Sequence, residues 1–188
     1  MPASEFADQG FVDAVRARDQ SVDLLPLDAW RDGYDVPCAQ QRLQHALGWA
    51  RSRYAQVWLG GISLGGHLAL AHAAGAALAL PGHVTVDGLC LMSAYPGNRP
   101  TWNTIRAAGG LAGWQPSAAQ RADAEFRVWH WLRQPGAKPA TFFGYGTADR
   151  FADGMRRMAA CLPAAAVCAI DGGHDWSVWR ALWARFLD

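Results

Sequence analysis

The sequence predicts an α/β domain with a mainly parallel sheet flanked by helices. Three observations carry that expectation. Short apolar runs at residues 55–59, 86–94, 140–145 and 164–170 alternate with segments whose apolar residues recur at helical spacing, as in strands joined by crossover helices. The run 86–94 (VDGLCLMSA) is apolar along most of its length, which suits a strand covered on both faces. Glycine pairs at Gly60-Gly61 and Gly65-Gly66 punctuate one junction between a strand and a helix, where tight turns need residues without a Cβ.

Taken in order, residues 7–19 set Phe11, Val12 and Val15 against Asp13, Arg16 and Arg18, predicting an amphipathic helix. Residues 21–27 (SVDLLPL) predict a strand ending near Pro26, followed by a turn through residues 32–35. A helix is expected over 37–53, with Leu43, Leu47, Ala50 and Tyr54 on one side and Pro37 in its first turn. The strand at 55–59 leads into a helix from Leu64 to about Leu80, stopped by Pro81-Gly82. After the strand at 86–94, residues 96–136 break the alternation with prolines and glycines before a helical patch at 117–133. This stretch suits a small lid-like insertion in which Trp102, Trp114, Trp129 and Trp131 either form an acyl pocket or dock a helix on the sheet. A strand at 140–145, a helix at 151–161, a strand at 164–170 and a helix at 175–187 complete the chain. Trp176, Trp179, Leu182, Trp183 and Phe186 form the apolar stripe of that last helix.

At 188 residues, 51% hydrophobic and 18% charged, residues 1–188 suit one globular domain with a sizeable core. A net charge of +1 gives no electrostatic reason to expect a nucleic-acid or anionic-membrane partner. No apolar run reaches the roughly 20 residues of a membrane span. The N-terminus lacks the basic and apolar regions of a signal peptide. The four cysteines, Cys38, Cys90, Cys161 and Cys168, have no CxxC spacing, so a reducing, cytoplasmic compartment is expected.

The chemistry centres on Gly61-Ile62-Ser63-Leu64-Gly65. A G-x-S-x-G run between a strand and a helix is the pattern of a nucleophile elbow, whose glycines let the serine hydroxyl stand free at the sheet's end. A side chain at 61 or 65 is expected to collide with its neighbours there. The plainer alternative is a glycine-rich turn with a serine helix cap. A serine nucleophile needs a general base, and the base needs an orienting carboxylate. Two loops after strands supply these types: Gly146-Thr147-Ala148-Asp149-Arg150-Phe151 and Asp171-Gly172-Gly173-His174-Asp175-Trp176. Their order, Ser63, Asp149, His174, is that of α/β-hydrolases.

Other residues are assigned more modest parts. His67, one turn beyond Ser63, is expected on the pocket wall. His67 and His72 do not share metal-ligand spacing, and His45, His83 and His130 read as surface or loop residues. Asp175 is expected to cap the last helix, Asp171 to cap the glycine turn, and Asp153 is a weaker rival to Asp149.

Taken together, Gly61-Ile62-Ser63-Leu64-Gly65-Gly66, Gly144-Tyr145-Gly146-x-x-Asp149-Arg150-Phe151 and Gly172-Gly173-His174-Asp175-Trp176-x-x-Trp179 resemble the α/β-hydrolase superfamily, specifically small bacterial esterases. The resemblance covers nearly all of residues 5–188, and the histidine loop is similar to that of esterase D-like and enterochelin-esterase-like enzymes. It implies Ser63 as nucleophile, His174 as base and Asp149 as its carboxylate, with no metal and no organic cofactor. The Leu64 amide is then the first oxyanion donor, with Ile62, Tyr95 and His67 about the pocket.

One feature departs from the family. Its sheet carries a strand before the first helix, and the loop leaving that strand gives the second oxyanion amide. Here the first helix starts almost at once, so that strand is missing between residues 21–27 and 55–59. Either the true start lies upstream of Met1, the favoured expectation, or the chain is a shortened variant. The expected function is cleavage of a small-molecule ester by acyl transfer. The alternatives are a thioesterase or acyltransferase, and a non-catalytic binding domain with an incomplete oxyanion hole. Oligomeric state is left open.

Overall fold

A computed structural model describes residues 3–18, 21–30, 33, 35–76, 83–136 and 138–188. Four strands, β1 (Trp58–Ile62), β2 (Gly88–Met92), β3 (Ala140–Gly146) and β4 (Val167–Ile170), form one sheet in that spatial order. Every neighbouring pair is parallel, with Gly60 opposite Cys90, Leu91 opposite Phe143 and Tyr145 opposite Ala169. Parallel neighbours require crossover connections. Helix α4 (Leu64–Ala76) lies on the first, α5 (Arg99–Ala107) to α8 (Ala124–Arg133) on the second, and α9 (Ala152–Ala159) on the third. The expected fold class is therefore observed, with strand limits shifted by a few residues.

All five residues of β2 are buried, and successive side chains enter opposite layers, as the two-residue period of a strand dictates. Leu89 and Leu91 join Phe143 and Tyr145 in a core closed by α3 (Val36–Arg51), α4, α8 and α9. Cys90 and Met92 join Ile62 in a second core closed by α2 (Phe11–Arg16) and α10 (Trp176–Leu187). Gly144 belongs to the second face, where an added Cβ would sit 2.6 Å from a Leu182 methyl. The missing side chain lets α10 lie close against the sheet.

Several expectations are corrected. Residues 21–27 form no strand. A strand needs a neighbour for its backbone groups. The described sheet ends at β1, with no strand bridging it to this segment. The segment is instead pinned by Leu24 against the second core and by the Tyr54 hydroxyl donating to Asp23 at 2.6 Å. Residues 7–19 are not one helix but α1 (Glu5–Asp8) and α2, separated at Gly10, whose φ of +80° breaks the helical path.

Residues 96–136 form four helices: α5, α6 (Gly110–Gly113), α7 (Ala118–Ala122) and α8. Trp114 and Trp129, 2% and 1% exposed, belong to the same core as Leu89 and Phe143. The Trp129 indole donates to the Pro96 carbonyl at 3.1 Å. These tryptophans dock helices; they do not line a pocket. The single patch expected at 117–133 is split at Asp123, whose carboxylate caps α8 by accepting from Glu125 and Phe126. The expected stop at Pro81-Gly82 and most of the turn at 32–35 lie outside the described residues. Among the described residues, no helix is long and apolar enough to cross a membrane.

His83 is a loop residue, as expected, and it has specific partners there. It stacks on His72 with ring centroids 4.4 Å apart, and Gln44 Nε2 lies 2.9 Å from its Nδ1. His72 is buried, its Nε2–H donating to the Val84 carbonyl at 2.8 Å. Burial pushes the His72 imidazole down from 6.5 to about 4 and lowers His83 in the same direction. For a base depressed in the fold, the unfolded chain binds the proton more readily. The contribution is whole above the unfolded value near 6.5 and drains as pH falls towards about 4. Wild-type urea midpoints should fall across that window, and His72→Gln should flatten the fall. An equal slope in both proteins would contradict this account.

Candidate active site

Ser63 stands between the last residue of β1 and the first of α4, with a φ of +52°. A left-handed backbone at a residue with a Cβ costs about 1–3 kcal/mol and persists only where its surroundings enforce it. Here they do. The Ser63 N–H donates to the Met92 carbonyl at 3.1 Å, and its own carbonyl accepts from Tyr95 at 2.9 Å and His67 at 3.0 Å. The turn between them is closed by backbone packing. A Cβ on Gly61 would lie 2.3 Å from the Gly65 carbonyl carbon, and one on Gly66 would lie 2.8 Å from the Ala94 Cβ. The expectation for Gly65 is corrected, since nothing lies within 4 Å of a Cβ built there. The crowded glycines are 61 and 66.

The acid and histidine loops are held together in a similar way. Thr147 N–H donates to the Ile170 carbonyl at 2.8 Å and Ala148 N–H to that of Gly172 at 2.9 Å. A Cβ on Gly146 would come within 2.4 Å of the Gly172 oxygen. Gly172 itself has a φ of +132° and lies against Val178. Asp175 caps α10 as expected, accepting from Ser177 and Val178, and the Ser177 hydroxyl bond leads the causes that hold its carboxyl below the usual range. Asp171 accepts from the Thr147 hydroxyl at 3.1 Å, and Asp153 pairs with Arg156 on the surface.

These constraints bring Ser63, His174 and Asp149 into one relay. The buried Asp149 carboxylate accepts the Phe151 N–H on Oδ1 at 2.8 Å and faces His174 Nδ1 with Oδ2 at 2.6 Å. An ionised carboxylate can only accept, so the proton sits on Nδ1 and Nε2 is left as an acceptor. Nε2 lies 3.0 Å from Ser63 Oγ, within the range for a base and a serine hydroxyl. The imidazole side chain is 11% exposed, that of Asp149 0%. Water therefore reaches the imidazole but not the carboxylate.

The remaining expected residues divide. Tyr95 is half-buried beside Ser63, edge-on to Phe151 with centroids 5.3 Å apart. Burial, then the Glu125 carboxylate, raises its phenol above the usual value. His67 places Nδ1 3.0 Å from the Tyr95 carbonyl and its ring against that of Tyr95. Burial is the main cause lowering its imidazole below the ordinary value. It borders the site, its own N–H donating to the Ser63 carbonyl at 3.0 Å. Leu64 opens α4, and the first amides of a helix have no intrahelical acceptor. Ile62 is 5% exposed and packs inside the second core.

Sequence reasoning missed Ser93. It follows β2 as Ser63 follows β1, has a φ of +47°, is fully buried, and donates its N–H to the Gly144 carbonyl at 2.8 Å. Its Oγ has no partner among the described residues. Its place directly after an apolar strand, on the same rim as Ser63, was the available signal.

Two alanine substitutions separate crowded from open glycines. Gly146→Ala should lower stability by about 1–3 kcal/mol and speed amide exchange at Thr147 and Ala148. Gly65→Ala should do neither. Equal exchange in both variants would contradict the packing of the two loops.

No protein-family model matches the chain, and a search of curated proteins found no match.

Proposed function

We propose that the protein is a serine hydrolase of the α/β-hydrolase kind, cleaving a small carboxylic ester by acyl transfer through Ser63. The observation that carries this reading is the continuous relay from Ser63 Oγ to His174 Nε2 at 3.0 Å and from Nδ1 to Asp149 at 2.6 Å. A serine hydroxyl that faces an imidazole nitrogen on a strained turn gains more than a hydrogen bond. It gains a base.

In the proposed reaction, Nε2 takes the hydroxyl proton as Oγ bonds to the ester carbonyl carbon. Asp149 holds the tautomer and stabilises the imidazolium that forms. The carbonyl oxygen becomes negative beside the Leu64 amide at the N-terminus of α4, where the helix's aligned amides favour an anion. Collapse breaks the bond to the alkoxy oxygen, which leaves as the alcohol with the proton from Nε2. Water then gives a proton to His174 and attacks the acyl carbon, releasing the acid and restoring the Ser63 hydroxyl. Tyr95, Phe151 and the neutral His67 would offer the substrate an aromatic wall with a few polar edges.

Hydrolysis of short p-nitrophenyl esters tests the proposal. Ser63→Ala and His174→Ala should each lower kcat by about 10⁴-fold or more, and Asp149→Asn by about 10²–10⁴-fold. Faster turnover of the matching acyl-thioester would move the assignment to a thioesterase. A folded wild-type protein that turns over neither would overturn it in favour of a binding domain.

A further inference from the structure

His174 is held by more than its two polar partners. Its ring meets Phe151 with centroids 5.4 Å apart at 82°, and Trp179 at 5.1 Å and 89°. Both are edge-to-face contacts at favoured spacing. They come from different elements: Phe151 follows the acid loop, and Trp179 lies on the first turn of α10.

Each ring is braced in turn. Phe151 meets Tyr95 at 5.3 Å, and the Arg150 guanidinium lies 4.8 Å from its centroid. Tyr95 is tied by its N–H to the Ser63 carbonyl. Trp179, 6% exposed, meets Trp176 at 5.0 Å and packs in the core that holds Ile62 and Val178. A chain of rings from Tyr95 to Trp176 thus passes through the imidazole, with one end fastened to the backbone of the nucleophile itself.

Such bracing answers a specific weakness of the relay. The torsion that turns a histidine ring about its Cβ–Cγ bond is broad. A ring held by one strong bond at Nδ1 can rock about it, and a small rotation carries Nε2 away from Oγ. The Trp179 indole N–H has no acceptor among the described residues. Its place is therefore set by ring packing and not by a hydrogen bond.

We propose that Phe151 and Trp179 are positioning residues that clamp the His174 imidazole in the plane joining Asp149 to Ser63. The inference rests on reading those three residues as a catalytic triad. The clamp touches no reacting atom; it acts through the base. Phenylalanine at 179 keeps an aromatic ring while trimming the indole to one ring and removing the unpaired N–H, whereas leucine keeps apolar bulk without a ring.

The test compares wild type, Trp179→Phe, Trp179→Leu and Phe151→Leu, each checked for folding by circular dichroism. The first readout is the proton resonance of the Nδ1–Asp149 hydrogen bond, well downfield of the backbone amides. The second is steady-state hydrolysis of p-nitrophenyl acetate. The resonance should persist in Trp179→Phe and broaden away in both leucine variants. Turnover should fall by up to about 10²-fold in the leucine variants, with KM within about twofold, and Trp179→Phe should stay near wild type. Where Trp179→Leu fails to fold, Phe151→Leu carries the comparison. A folded leucine variant that keeps both the resonance and kcat overturns the clamp. A wild-type protein with the resonance but no hydrolysis leaves the clamp standing and overturns the esterase reading instead.

Discussion

The site depends on how close two stretches of backbone can come where β1 turns into α4. Gly61 passes over Gly65 and Gly66 at a separation that leaves no room for a Cβ, and Gly66 does the same against Ala94. That closeness forces Ser63 to a φ of +52° and turns its hydroxyl out at the carboxyl rim of the sheet. The same turn begins α4 directly behind the hydroxyl, so the Ser63 side chain and the helix's first amides share one position. A looser turn would lose both together.

The second half of the site is assembled by the parallel sheet. Strands running the same way end at the same rim, so the loops after β3 and β4 emerge beside the elbow after β1. Residues distant in sequence meet without any loop having to reach far. Gly146 against Gly172 and the bonds from Thr147 and Ala148 lock the acid and histidine loops to one another. The buried β2 lies between these two halves and carries both cores on its alternate faces. Rigid elements on either side fix the relay to within a hydrogen bond's tolerance.

Much of this was legible in the residues. Continuous apolarity marked β2, the aromatic stripe marked α10, and the order of Ser63, Asp149 and His174 on strand-end loops marked the relay. What escaped was whatever depends on a partner distant in sequence. Residues 21–27 have strand-like composition, but composition does not say whether a neighbour exists to pair with. Gly10 looked like one glycine in a helix until its positive φ divided α1 from α2. Motif spacing named Gly61 and Gly65, yet the direction of each Cβ decides which glycines are crowded, and that makes the second one Gly66. The tryptophans of residues 96–136 could serve a pocket or a core, and burial of Trp114 and Trp129 settles their side. His83 was legible as a loop residue, but nothing nearby in sequence announces the His72 ring beneath it.

The central claim is that Ser63 Oγ becomes a nucleophile because His174 takes its proton. A fluorophosphonate, which phosphonylates activated serines and releases fluoride, tests this most directly when the adduct is mapped by peptide mass spectrometry. The account predicts one adduct per chain, on the peptide containing Ser63, absent in His174→Ala under the same conditions. An unlabelled folded protein, an adduct on another serine, or labelling of Ser63 that persists without His174 would contradict it.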